Sequence, residues 1–129
     1  MNDRAAAPSA RPVPLSPFRV LVVDDDPDMS GFLVRLLVQQ GLQADVAEDG
    51  HAALRMIAAS PPDMVLLDVQ MPGPDGFEIC RRLKTSETTA LLPVVLVTAL
   101  EDHDSRVRGI EAGADDFLSK PVRREELRA

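Results

Sequence analysis

The chain has 129 residues, 45% of them hydrophobic, with a formal charge of -7 and a pI near 4.7. That length suits one domain with a real core; with aromatics at 3% and no Trp or Tyr, the core must be Val, Leu, Ile, Ala and Met. The acidic balance argues against this segment gripping nucleic acid or an anionic membrane. No apolar run approaches the roughly 20 residues of a membrane span, and a single Cys excludes an internal disulfide, which fits a reducing cytoplasm.

Residues 1–17, MNDRAAAPSARPVPLSP, are rich in Pro and Ala and hold no apolar stretch of signal-peptide length, so they are expected to be a disordered leader. From about 18 to 24 an apolar run reads as a strand. Asp26 then serves as N-cap and Pro27 as first residue of a helix running to about Gln40, with Phe32, Leu33, Leu36 and Leu37 at helical spacing and Gly41 as its stop. LQADVAE alternates like a strand, and His51 to Ala59 is a second helix ended by SPP. The strand DMVLLD ends on Asp68, the loop VQMPGPD follows, and a third helix covers Gly76 to Lys84. Cys80 lies in that helix as a buried small hydrophobe. PVVLVT is a strand ending on Thr98, Asp104 to Ala112 a fourth helix stopped by Gly113, and DDFLSK a fifth strand. PVRREELRA begins a helix that meets the end of the chain after about two turns, so an output module is expected beyond it.

Alternating strands and helices predict an α/β fold, a doubly wound five-stranded parallel sheet of order 2-1-3-4-5. Ligands in such sheets bind beyond the carboxyl ends of the strands, where the order reverses. Asp24 and Asp25 end the first strand, Asp68 the third, Thr98 the fourth and Lys120 the fifth. One crevice therefore collects three carboxylates, a hydroxyl and an ammonium. Asp26 and Asp28 have helix-starting roles, whereas adjacent Asp24 and Asp25 repel each other unless a cation joins them.

This oxygen-rich set suits Mg2+, or Mn2+, and His51 and His103, in separate segments, offer no zinc site. A divalent ion beside a carboxylate nucleophile, with Lys and a hydroxyl for oxyanions, is equipment for phosphoryl transfer. Asp68, alone at its strand end before a Pro and Gly loop, is the best nucleophile. Lys120 precedes Pro121, whose steric demand favours an extended backbone there.

VLVVDDDP, MVLLDVQMPGPDG, VVLVTA and AGADDFLSKP resemble, in order and spacing, the motifs of the receiver domain of two-component response regulators, over about residues 18 to 128. The resemblance implies that Asp68 accepts a phosphoryl group from a phosphohistidine on a sensor histidine kinase or phosphotransfer protein. It implies direct Mg2+ binding by Asp25, Asp68 and the backbone carbonyl of Gln70, with Asp24 acting through water. Thr98 and Lys120 would each bond a phosphoryl oxygen. Phe117 resembles the family's aromatic switch, a position that a plain core Phe would fill equally well. Gln70 and Leu100 stand where the family tunes dephosphorylation. The domain would run from 18 to 129 with its last helix incomplete, would be cytoplasmic, and could form a homodimer on phosphorylation. The stretch from Leu96 to Pro121 also resembles receivers attached to cyclic-di-GMP enzymes or histidine kinases. Any enzymatic output would lie outside this chain.

Four rivals fit less well. Asp24, Asp26 and Asp28 have the alternate spacing of a calcium loop, but Met29 and Arg35 stand where that loop needs Gly and Glu. A flavodoxin would need a phosphate cradle where this chain has acids. A dehalogenase-type phosphatase resembles the site in chemistry, but its nucleophile belongs on the first strand, and Asp28 stands where that family has Thr or Val. A receiver acting only as a binding module would have no use for the retained acids, Thr98 and Lys120.

Overall fold

The computed structural model of the chain describes residues 18–98 and 103–120. The leader at 1–17, Leu100, the His103 side chain and the helix expected at 121–129 lie outside the described residues. Strands and helices alternate as β1 (Arg19–Val23), α1 (Pro27–Gln39), β2 (Gln43–Ala47), α2 (Gly50–Ala59), β3 (Met64–Asp68), α3 (Gly76–Thr85), β4 (Val94–Thr98), α4 (His103–Ala112) and β5 (Asp116–Ser119).

Local chemistry sets the helix ends. Asp26, Asp49 and Asp75 occupy the N-caps of α1, α2 and α3 in extended backbone. Their carboxylates accept first-turn amides from Asp28 (3.0 Å), Ala52 (2.8 Å) and Glu78 (3.0 Å), satisfying donors that the helix itself leaves unpaired. At the other end of α1, Gly41 takes a φ of +86°, and the Leu42 amide returns to the Leu37 carbonyl at 3.1 Å. That left-handed turn is cheap only for Gly and stops the helix where expected.

The five strands are parallel in the order β2-β1-β3-β4-β5, as the sequence predicts. Side chains alternate across the sheet. Val20, Val22, Leu66 and Val97 pack with Leu33 and Leu37 of α1 on one face. Leu21, Val23, Val65, Leu67 and Leu96 meet α2 and α3 on the other. Burial on both faces explains why β1, β3 and β4 read as unbroken apolar runs. β2 does not bury alternate residues as its pattern suggests: it is an edge strand paired only with β1, and Val46 is exposed. Cys80 is fully buried, and burial pushes its thiol up to about 11, so it behaves as the apolar residue expected.

Parallel register then aligns the strand ends. Val23 stands opposite Leu67, so Asp24 follows β1 beside Asp68; Thr98 stands opposite Ser119, so Lys120 follows β5 at the same level.

Candidate functional site

Beyond the carboxyl edge of the sheet, one carboxylate oxygen from each of Asp24, Asp25 and Asp68 falls within 4.8 Å of the others. Asp68 is the last residue of β3 and only 4% exposed, because both neighbouring strands cover it. Asp24 is 3% exposed, its amide held by the Ala47 carbonyl at 3.1 Å and its Oδ1 accepting the Asp26 amide at 2.9 Å. Asp25, one residue further along an extended chain, is exposed. The adjacent acids are thus unequal: one is fixed by the protein, the other open to solvent.

Lys120 is the cation that joins Asp24 and Asp68. Its Nζ donates to Asp68 Oδ1 at 3.1 Å and lies 3.9 Å from Asp24 Oδ2. Its own amide donates to the Thr98 carbonyl at 2.8 Å, tying the residue after β5 to the end of β4. Thr98 is 6% exposed at that strand end. The loop after Asp68 is equally constrained. The Gln70 amide donates to Asp68 Oδ1 at 3.3 Å, and the Gly76 amide donates to the Val69 carbonyl at 3.2 Å. A Cβ on Gly76 would fall 2.3 Å from the Asp68 carbonyl oxygen and 2.7 Å from Val69 Cα, so only glycine lets α3 start this close to Asp68.

Electrostatically the cluster is short of positive charge. Burial pushes the Asp24 carboxyl up; the Asp26 amide offsets part of that, and Asp68 and Asp25 raise it further against the pull of Lys120. Three carboxylates face one ammonium, all donors are hard oxygens, and they converge within reach of a single ion. That donor set fits Mg2+ or Mn2+ and no softer metal.

The family model described as the response regulator receiver domain matches residues 20–129. The chain belongs to the response regulator receiver domain family. Among curated relatives, the response regulator PleD of Caulobacter vibrioides is 48% identical over 104 residues, which cover 81% of this chain and 23% of PleD. The response regulator MprA of Mycolicibacterium vanbaalenii is 46% identical over 113 residues, covering 88% of this chain and 48% of MprA. The receiver thus spans about a quarter to a half of the length of these relatives. Among solved structures, the signal receiver domain of a signal transduction histidine kinase from Syntrophus aciditrophicus has a TM-score of 0.80 at 36% identity, over 85% of this chain and 83% of that one. The chemotaxis protein CheY4 of Vibrio cholerae has a TM-score of 0.83 at 26% identity, over 88% of this chain and 94% of that one.

The structure gathers Asp24, Asp25, Asp68 and Lys120 there and brings the Gln70 amide to Asp68, while Thr98 stands at the neighbouring strand end. Phe117 is not at the acids. It is half-buried on β5 and shares a slit of about 10 Å³ with Thr98, Val69, Phe77, Ser105, Arg106 and Ser119. The Arg106 guanidinium lies 5.6 Å from the Phe117 ring centre, and a Cβ on Gly109 would fall 2.4 Å from that ring. Phe77 and Gly109 escaped the sequence reading. Their signal was faint: Phe77 is one of only four Phe residues and follows the capped turn PDG, while Gly109 interrupts a helix at a cost in propensity.

Proposed function

We propose that this receiver takes its phosphoryl group on Asp68. The observation carrying the assignment is the position of Asp68: 4% exposed at the end of β3, with Lys120 Nζ at 3.1 Å and two further carboxylates beside it. Phospho-acceptance in two-component signalling is the family's function, and it implies a histidine kinase or phosphotransfer protein as donor. An Asp68 carboxylate oxygen attacks phosphorus, the phosphorus–nitrogen bond of the phosphohistidine breaks, and its electron pair returns to the imidazole, which takes up a proton. An acyl phosphate forms on Asp68.

Asp25, Asp68 and the Gln70 carbonyl would hold Mg2+ or Mn2+ directly, with Asp24 acting through water. When bound, the ion supplies positive charge for the phosphoryl oxygens. Lys120, already paired with the acceptor, neutralises another oxygen, and the Thr98 hydroxyl donates to a third. The product carries about 1.5 to 2 negative charges where the carboxylate carried one, so a buried acidic site gains up to about one more. Drawing Thr98 toward it shifts the segment after β4 and, through the shared slit, Phe117. The responsive surface is α4, β5 and the helix expected after it. Gln70 and Leu100 would tune the lifetime of the phosphorylated state.

The relatives extend far beyond the matched segment, which supports a separate output module and, for this segment, a role in controlling it rather than an enzymatic one. A homodimer on phosphorylation is part of the same proposal, and Ile110, 66% exposed on α4, lies on the surface it would use. No helix among the described residues is long and apolar enough to cross a membrane, which supports the cytoplasmic placement that the family's signalling role suggests. The test is intact-mass spectrometry after incubation with acetyl phosphate, with and without Mg2+. A single phosphate adduct that needs Mg2+ and is missing in Asp68→Asn is expected. A folded wild-type chain that takes no adduct, or an Asp68→Asn variant that still does, would sink the assignment.

A further inference from the structure

α4 is seated through small side chains. Its inward face carries Ser105, Gly109 and Ala112, packed on α3 and, at Gly109, on Phe117 and Leu96 of the sheet. Two arginines grip aromatic rings from its flanks: Arg106 reaches Phe117 of β5, and Arg108 stacks on Phe77 of α3 with its guanidinium carbon 4.3 Å from the ring centre. Arg108 Nη2 also lies 3.7 Å from Oδ2 of Asp75, the residue capping α3. The Phe77 ring, 6% exposed, is therefore pressed between Arg108 outside and the slit that holds Thr98 and Phe117 inside.

That slit leaves room for the centre of a water molecule over only about 10 Å³. An aromatic ring cannot turn into it unless a wall yields. Thr98 is one yielding wall; Phe77 is the other, and Arg108 covers its outward path. We propose that Arg108 is a positioning residue that restrains switching: stacked on Phe77 and paired with Asp75, it keeps the slit closed and holds α4 against the start of α3 in the unphosphorylated arrangement. Because Gly76 lies between Asp75 and Phe77 and packs on the Asp68 carbonyl, the restraint acts within one turn of the acceptor. Phosphorylation and the opened arrangement favour each other, so releasing Arg108 makes phosphorylation easier. The inference rests on Asp68 as acceptor and Phe117 as the moving ring.

The experiment follows adduct accumulation by intact mass with acetyl phosphate and Mg2+ for the wild type, Arg108→Ala, Arg108→Lys, Phe77→Leu and the Arg108→Ala/Phe77→Leu double variant. Arg108→Ala is expected to label at least about fivefold faster, with a melting temperature within about 3 °C of wild type, since the side chain lies on the surface. Arg108→Lys keeps the charge beside Asp75 but loses the planar stack, and is expected to label as fast as Arg108→Ala. In the Phe77→Leu background, removing Arg108 should change the rate by less than about twofold, because its target ring is gone. A general loosening of α4 would not vanish in that background. Wild-type rates in both Arg108 variants, or an undiminished Arg108 effect without Phe77, overturn the restraint while leaving Asp68 as acceptor. A wild-type chain that takes no adduct overturns both readings.

Discussion

The centre of the sheet and its α4–β5 side are built to different standards. Val20 to Val23 and Val65 to Leu67 are at most 3% exposed, covered by helices on both faces, and they deliver Asp24 and Asp68. β5 has one exposed and three half-buried residues, and α4 presents small side chains inward and arginines at its flanks. Holding like charges together demands rigid support, whereas a surface that reports on them must have a second arrangement within a few kcal/mol. Under the proposed function, the receiver divides these demands between its centre and its edge.

The sharpest way to break that contrast is a pair of core truncations. Leu67→Ala in β3, fully buried, should lose about 3 kcal/mol of stability. Leu118→Ala in β5, half-buried, should lose less than half as much. Urea unfolding with unchanged m-values would show this, and equal losses would mean the edge is as firmly packed as the centre.

Two glycine substitutions sharpen the contrast at the site. Gly76→Ala drives a methyl group into the Asp68 carbonyl, a backbone atom with nowhere to go. It should cost about 2 kcal/mol and slow acetyl phosphate labelling at least about tenfold, since the proposed acceptor itself is displaced. Gly109→Ala meets the Phe117 ring and the Leu96 side chain, side-chain atoms that give way more readily than backbone. A smaller loss of stability is expected, with labelling retained. Equal slowing in both variants would mean that α4 holds the acceptor as tightly as α3 does.

The smallest effects separate the two regions by the sign of their pH dependence. Asp24 has its carboxyl raised above the ordinary 3.8, first by burial, so its charged form costs the folded state stability. That cost is fully present above the raised value and disappears as pH falls through it. In chelator, Asp24→Asn should therefore raise the melting temperature at pH 7, with the gain shrinking on acidification. Asp115, before β5, is raised by burial but lowered more by Lys84 at 2.7 Å and by the Val94 amide at 2.8 Å, and ends below 3.8. Its contribution is present above that value and is lost as pH falls toward the lowered one. Asp115→Asn should lower the melting temperature at pH 7, by an amount that closes in acid. Melting curves from pH 7 downward would test both, and shifts of the same sign would contradict the charge assignment.

Much of this was readable before any coordinates. The apolar runs and helical spacing set each described element to within one residue of its observed ends, because they reflect burial on a period of 2 or 3.6. Asp26–Pro27 and Gly41 marked helix ends through chemistry that acts over a few residues. The acids stood out because two carboxylates side by side after an apolar run have no local use.

Which acid the protein buries was not readable, since Asp24 and Asp25 are alike in the chain and differ only in the face toward which an extended backbone turns them. Nor was the stacking of Arg108 on Phe77, or the slit that Phe117 shares with Phe77, because these meet only where elements from different parts of the chain pack. The sequence by itself determined the order of elements and the chemical types at the strand ends, since local periodicity and capping are properties of neighbouring residues. The tertiary structure decided the partners: Lys120 reaches Asp68 across 52 residues of chain, a distance over which only the register of parallel strands, and no local preference, can align two side chains.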